Sequence, residues 1–494
     1  MRTDFSKFDK PEERPKDARA IMAELRDLVL RVDFVSLVHP EAGSIKERMG
    51  SVTDDAERDT LKKRLAKLKV TERQKYVVIV DELLRLAEAN NYGLAKNGAF
   101  VYLYNGRYWE EIEKDLLTDY LGEIAERMGV KRYDARQFQV KENLMKQFLY
   151  SSFQSLPDPG DGIKINLMNG TYVIGEKIEL REHRREDFLK YQLPFKYDPM
   201  AVCPLFHKYL NTVLPDKTAQ DVMAEYLGYC FTRGLKLEKV LVLYGSGGNG
   251  KGVFFEIVCA LLGNKNVSNY FLNLLCDDNG YYRAKLCNKI VNYSPEKGTD
   301  FGGEIFKSLC SGEPVPARLP YGEPFEITDY AKLILNANSL PVPQEQNEAY
   351  FRRFLIVPFS KTIPQEERDP DLPNRIIRNE LSGIFNWVLE GLDRIITNRR
   401  FSNCVTANEA LEAYKIESDS VTCFIKEEGY ISSLDYRTEL KTFYNDYRSF
   451  CMDNGYKPCS NRVFSKRVEN NGITLIRSHG SRYVYVDRKQ EGMI

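Results

Sequence analysis

Apolar positions are spread unevenly along the chain. Between residues 201 and 400 they gather into four short runs rich in Val, Ile and Leu: KVLVLYG (239–245), NKIVNYS (288–294), AKLILNAN (331–338) and RFLIVPF (353–359). Apolar side chains at consecutive positions suit strands covered on both faces. Stretches with helical spacing lie between them, such as Val253 to Leu262. Alternating strand and helix predicts a doubly wound sheet with its ligand at the carboxyl ends of the strands.

The flanking segments have other periods. Residues 1–75 are densely charged, and AERDTLKKRLAKLKVTERQK (56–75) reads as one amphipathic basic helix. From 76 to 200 the pattern is mixed α+β. YVVIVDELLRLAEANNYG (76–93) suggests a helix, and AFVYLYNGRYWEEI (99–112) a hairpin turning at Asn105 and Gly106. A second hairpin is expected around Asn169 and Gly170, after a loop from Leu156 to Gly162. Beyond residue 415 two helical runs, TELKTFYNDYRSFCMDNG and SNRVFSKRVENNG, precede two strand-like runs, ITLIRS and SRYVYVD. Two helices and a hairpin predict a winged helix over 415–490. The chain thus reads as a multidomain α/β protein with segments 1–75, 76–200, 201–400 and 415–490.

Composition narrows the partners. The 494 residues carry 71 basic and 71 acidic side chains, so nucleic-acid contact must come from local patches. One such patch lies between Ser460 and Lys489, where seven basic residues face two acidic ones. Ten cysteines without C-x-x-C spacing and four histidines argue against a zinc site and for free thiols of a reducing cytoplasm. The charged N-terminus does not resemble a signal peptide, and no apolar run has membrane-spanning length, so no membrane partner is expected.

The sharpest chemical signal is GSGGNGKG. Gly245, Ser246, Gly247, Gly248, Asn249, Gly250, Lys251 and Gly252 link an apolar strand to an apolar helix. Glycines let successive N–H groups converge on an anion, and the following helix adds its positive end. Lys251 would lie against the β- and γ-phosphates of ATP. The Ser or Thr that usually follows the lysine is absent at Gly252, so Mg2+ must rely on waters and other carboxylates. Glu296, just after the second run, could orient an attacking water and hold Mg2+. Asn338, at the end of the third, could reach the γ-phosphate or that water. Arg352 and Arg353 stand at the start of the fourth, and either, with Arg353 favoured, could face a neighbouring subunit as a guanidinium that spreads phosphoryl charge.

This order resembles that of the superfamily 3 helicases, in particular the phage and plasmid primase-helicase group related to the poxvirus primase-helicase. GSGGNGKG matches their motif A, IVNYSPE motif B, LILNANSLP motif C and YFRRF the arginine-finger motif. SGEPVPARLPYGEPFEITDY (311–330) resembles their pore hairpin, and INLMNGTYVI, LPFKYDP and CPLFHKYLNTVLPDKTAQDVMAEYLGY the region preceding the helicase. Two features depart from the pattern: Gly252 itself, and Asn292 and Ser294 where many relatives carry a second acid. Residues 1–75 hold no acidic primase triad.

The resemblance implies an AAA+-type P-loop core, ATP and Mg2+ as cofactors, and a ring, commonly a hexamer, with ATP between subunits. It implies a hairpin gripping single-stranded DNA, with Arg318, Tyr321 and Lys332 as candidates for the grip or its support. A winged helix would meet duplex DNA through Arg462, Lys466 and Arg467 on its second helix and Arg477 and Arg482 on its wing. The expectation is a DNA helicase of a phage, plasmid or integrated element, working in a bacterial cytoplasm beside a separate primase or other replication proteins. The alternative is an initiator or loader whose ATPase controls assembly without processive unwinding.

Overall fold

A computed structural model describes residues 15–155, 162–294, 303–340, 347–478 and 480–488. The chain divides into two compact units, one formed by 1–200 with 231–234 and 260–266, the other by the remainder.

In the first unit, helices Ala18–Leu28, Glu72–Ala89, Lys114–Met128 and Phe138–Ser151 share one apolar core with the sheet that follows Ala89. Ile21, Leu25, Ile79, Leu83, Leu121, Ile124 and Phe148 fill it. Strands Gly93–Asn97, Phe100–Tyr104 and Trp109–Ile112 form an antiparallel meander whose second turn is the one expected at Asn105 and Gly106. The Asn105 carboxamide oxygen accepts from the amides of Arg107 and Tyr108, and Gly106 takes a positive φ of 91°. A second meander, Ile163–Leu167, Gly170–Ile174 and Ile178–Arg181, turns where predicted, at Asn169 and Gly170. The basic stretch 56–75 is two helices rather than one. The first, Asp55–Lys67, buries only Leu61, and Thr71 then starts the next by a reciprocal capping box with Gln74. A single apolar anchor cannot hold a long charged helix, whereas two satisfied N-terminal donors can begin a new one.

His183 in this unit sets a pH limit. It is largely buried, its Nε2 has no partner among the described residues, and burial, then Arg107, hold its pKa down at about 4. The neutral ring is the folded form, so the unfolded chain takes up a proton first, from about pH 6.5. Its contribution is complete above that pH and lost as pH falls through 4, on the order of 3 kcal/mol. Urea unfolding at pH 7 and pH 4.5 should show a smaller acid loss in His183→Gln than in the parent. Equal losses would remove His183 as the cause.

The second unit holds a five-stranded parallel sheet. Its strands lie in the order Phe354–Pro358, Val240–Tyr244, Lys332–Ala337, Val291–Ser294, Val267–Ser268. All four runs read from the sequence are strands of this sheet. Val240 to Leu243 and Val291 to Ser294 are buried throughout, as strands covered on both faces must be. Helices Lys217–Tyr229 and Leu372–Asn398 pack with backbones in contact: a Cβ on Gly391 would fall 2.3 Å from the Ala224 carbonyl carbon.

At the C-terminal end, helices Leu440–Asp453 and Asn461–Asn470 precede the hairpin of Thr474–Ser478 and Ser481–Arg488. The structure adds helix Ser420–Glu427 and two short strands, Tyr430–Ser432 and Thr438–Glu439, both pairing with Ser481–Arg488. Phe424, Phe443, Tyr447 and Phe464 form the local core, with Tyr447 stacked on Phe464 at 4.6 Å. Among the described residues no helix is long and apolar enough to cross a membrane.

Candidate functional site

The glycine loop leaves the carboxyl end of the second strand of the sheet, Val240–Tyr244, and feeds the helix Lys251–Leu262. Gly245, Gly248 and Gly250 have φ of 156°, 77° and 89°. Gly250 must also lack a Cβ, because one would fall 2.6 Å from a Val213 methyl. Neighbours fix the loop. Asn249, 3% exposed, donates to the Phe359 carbonyl at 3.0 Å; the Tyr209 hydroxyl donates to the Gly250 carbonyl at 2.9 Å; the Ile363 amide donates to the Gly248 carbonyl at 2.9 Å. The amides of Ser246 to Gly250 donate to no group among the described residues. N–H groups left unbonded in a glycine loop at a helix N-terminus are the kind of arrangement that suits an anion.

Lys251 completes the cradle. Its ammonium donates to the Gly245 carbonyl and to Asn338 Oδ1 at 3.1 Å. Two motifs read 87 residues apart therefore meet in one hydrogen bond. Asn338 follows directly on the strand Lys332–Ala337, adjacent to Val240–Tyr244, which carries its exposed amide to the loop. At Gly252 a Cβ would meet nothing within 4 Å, so the absent hydroxyl is not a matter of space. Glu296 lies outside the described residues. Asn292 on the strand before it is fully buried and used up: it accepts from the Ser268 hydroxyl and the Tyr270 amide, both at 2.9 Å, and donates to the Tyr270 carbonyl. It clamps the next strand and is no stand-in for a metal-binding acid. No group of three or more His, Cys, Asp or Glu side chains suited to a metal occurs among the described residues. The residues present fit phosphate groups; Mg2+ would rest on Glu296 and waters.

Reading the sequence missed Arg368. A Cβ on Gly248 would fall 2.5 Å from its guanidinium, and its Nε donates to the Ile363 carbonyl at 3.0 Å. It thus lies against the glycine loop from a loop far downstream, with no local motif to mark it.

The arginine pair separates. Arg353 is 8% exposed and committed inside its own chain, to the Ala349 carbonyl and, at 3.2 Å, to the Ser311 hydroxyl. Arg352 is exposed and ion-paired with Glu238 at 2.8 Å. The favoured Arg353 is therefore the buried member of the pair, and Arg352 the exposed one. The segment read as a hairpin is one: Val315–Arg318 pairs antiparallel with Pro324–Ile327, and Tyr321 projects fully exposed from the turn with a left-handed φ of 58°. Arg318 is exposed and supports that turn by donating to the Gly322 carbonyl at 2.8 Å. Lys332 is engaged elsewhere, 4.3 Å over the Tyr229 ring and donating to its hydroxyl.

Of the C-terminal basic residues, Arg462, Lys466, Arg477 and Arg482 are exposed, whereas Arg467 is half-buried in an ion pair with Asp419 at 3.3 Å. Arg477 and Arg482 are direct cross-strand partners. Like charges in that position cost stability, so the hairpin carries a repulsion that an anion would relieve.

Comparison with known proteins adds three findings. Residues 82–215 match the family described as D5 N terminal like, and residues 243–353 match a family of unknown function, DUF5906. The chain is 26% identical over 167 residues to the "Putative helicase L207/L206" of Acanthamoeba polyphaga mimivirus; this covers 32% of the chain but 17% of that protein's length. Two solved structures of the apo C-terminal region of NrS-1 are similar at 13% identity, with TM-scores of 0.43 and 0.45, covering 82% and 84% of this chain and 98% and 100% of theirs. Residues 82–215 are thus similar to the D5 N terminal like family, and about a third of the chain is similar to part of a putative viral helicase.

Proposed function

We propose that this protein is an ATP-driven single-stranded DNA translocase and helicase of the superfamily 3 type. It acts as a ring, in the replication of a phage, plasmid or integrated element. The observation that carries the reading is the Lys251–Asn338 hydrogen bond beside a glycine loop whose amides make no backbone bond among the described residues. ATP with Mg2+ supplies the γ-phosphoryl group and a divalent charge. The loop amides and Lys251 neutralise the phosphate oxygens, and Asn338 moves from Lys251 to the γ-phosphate or the attacking water. Glu296 takes that water's proton. Arg352 of a neighbouring copy would meet charge developing at the transferred group. Tyr321 at the hairpin tip offers a stacking face to single-stranded DNA, and Arg318 holds the tip.

The test is phosphate release with and without single-stranded DNA, followed by strand displacement on a forked duplex. DNA should raise the hydrolysis rate, and displacement should require ATP. Hydrolysis indifferent to DNA would overturn the translocase reading.

The cross-strand Arg477–Arg482 pair favours a second reading, an ATP-controlled duplex-binding initiator or loader. If the winged-helix-like segment grips duplex phosphates, replacing Arg462, Lys466, Arg477 and Arg482 by Gln should flatten the salt dependence of duplex binding. Each lost contact lowers the log–log slope by about 0.9. A slope unchanged in the quadruple variant would exclude these residues from the duplex interface.

A further inference from the structure

At the end of the five-stranded sheet opposite the glycine loop lies an open cavity of about 870 Å³. It is bounded by the segment before strand Val240–Tyr244, by Arg352 before Phe354–Pro358, and by the loop after helix Leu372–Asn398. Five cations line it: Lys236, Lys239, Arg352, Arg399 and Arg400. Glu238 is the one acidic residue of the lining. Glu238 is taken by Arg352 at 2.8 Å, and Lys239 donates to the Arg352 carbonyl at 2.6 Å. Lys236, Arg399 and Arg400 are exposed and make no ion pair among the described residues. We propose that this cavity is a second binding site for phosphate groups, built from Lys236, Lys239, Arg399 and Arg400 around Arg352.

Three observations support it. The lining sets five cations against one carboxylate in one concavity, and Glu348 is the further carboxylate whose charge reaches Lys239, so the field favours an anion. Burial, then Arg352, pull the Lys239 ammonium below the ordinary lysine pKa, so the group is held at a cost that a bound anion would offset. Two of the lining residues, Glu238 and Arg399, hold left-handed backbone at φ 54° and 52°, unusual for residues with side chains. The only aromatic ring in the lining, Phe401, is spent against Tyr226 and Tyr229. With no free ring for a base, the cavity is suited to phosphates.

Strand Val240–Tyr244 separates the cavity from the glycine loop of the same chain by about 16 Å, at roughly 3.3 Å per residue. A phosphate bound here therefore comes from elsewhere. The two sources are the backbone of a nucleic-acid strand and the polyphosphate of a nucleotide carried by another copy.

The experiment uses the full chain carrying Lys251→Ala, which mutes the glycine loop, with and without Lys236→Gln, Arg399→Asn and Arg400→Gln. Asn tolerates the left-handed backbone at 399. Equal thermal midpoints establish that the fold is intact, and the single Arg400→Gln variant stands in if the triple variant melts early. Binding of a fluorescein-labelled oligodeoxythymidylate is followed over a salt series, and inorganic tripolyphosphate binding by calorimetry. If a strand is the source, the salt slope falls by about 2 and affinity at 0.1 M salt by about 100-fold, at roughly 0.7 per phosphate. If a nucleotide is the source, tripolyphosphate affinity falls and the oligonucleotide slope does not. Unchanged binding of both probes in a folded variant overturns the proposal. ATP hydrolysis in the Lys251 parent is measured separately, so failure of the nucleotide reading and failure of the cavity are distinguishable.

Discussion

Lys251→Ala is expected to reduce ATP hydrolysis to background, a loss of at least about 10²-fold, with the fold retained. Lys251 is 7% exposed at the start of the helix Lys251–Leu262, where its ammonium meets the Gly245 carbonyl and Asn338. Among the described residues it is the cation that bonds the glycine loop and the strand-end amide at once. Alanine leaves both acceptors free to find water, because Asn338 is exposed and the loop opens to solvent at Ser246 to Gly248. The fold therefore loses little, whereas charge developing on a γ-phosphate loses its nearest fixed counter-charge. Phosphate release, beside circular dichroism and a thermal melt, measures the two effects apart. A folded variant with near-parental hydrolysis would end the assignment of this loop to nucleotide.

Arg352→Ala is expected to lower hydrolysis by roughly 10³ to 10⁵, the range for an arginine that stabilises phosphoryl transfer. Its own ion pair with Glu238 is half exposed on both sides and worth at most about 1 kcal/mol, so melting should barely move. Arg353→Ala makes the contrast. That side chain is buried against the Ala349 carbonyl and Ser311, and its removal should cost about 1–3 kcal/mol of stability instead. If Arg352 acts on a neighbour, mixing Arg352→Ala with Lys251→Ala should recover activity, since some interfaces in a mixed ring carry both groups. Demonstrated co-assembly without recovery would place the arginine outside a shared site.

Much of the second unit is legible in the chain. Runs such as VLVL and LIVP are short, β-branched and apolar at consecutive positions, as suits a strand covered on both faces, and all four are neighbours in one parallel sheet. Glycines at 245, 248 and 250 mark a backbone that side chains disfavour, so the loop was readable before its geometry was known. The turns at Asn105–Gly106 and Asn169–Gly170 are equally local. What the residues could not show is how chemically similar side chains are spent. Arg352 and Arg353 are adjacent and alike in sequence, yet one turns outward and the other fills a buried slot beside Ser311. Arg467 looks like Arg462 and Lys466, but Asp419, 48 residues away, takes it. Arg368 reaches Gly248, and the basic cavity gathers Lys236, Arg352 and Arg400, without any motif to announce either. Periodicity and backbone preference act over a few residues and are written in order along the chain. The pairing of charges depends on which distant segments the packed sheet and helices bring within a few ångströms, and that is decided only when the core closes.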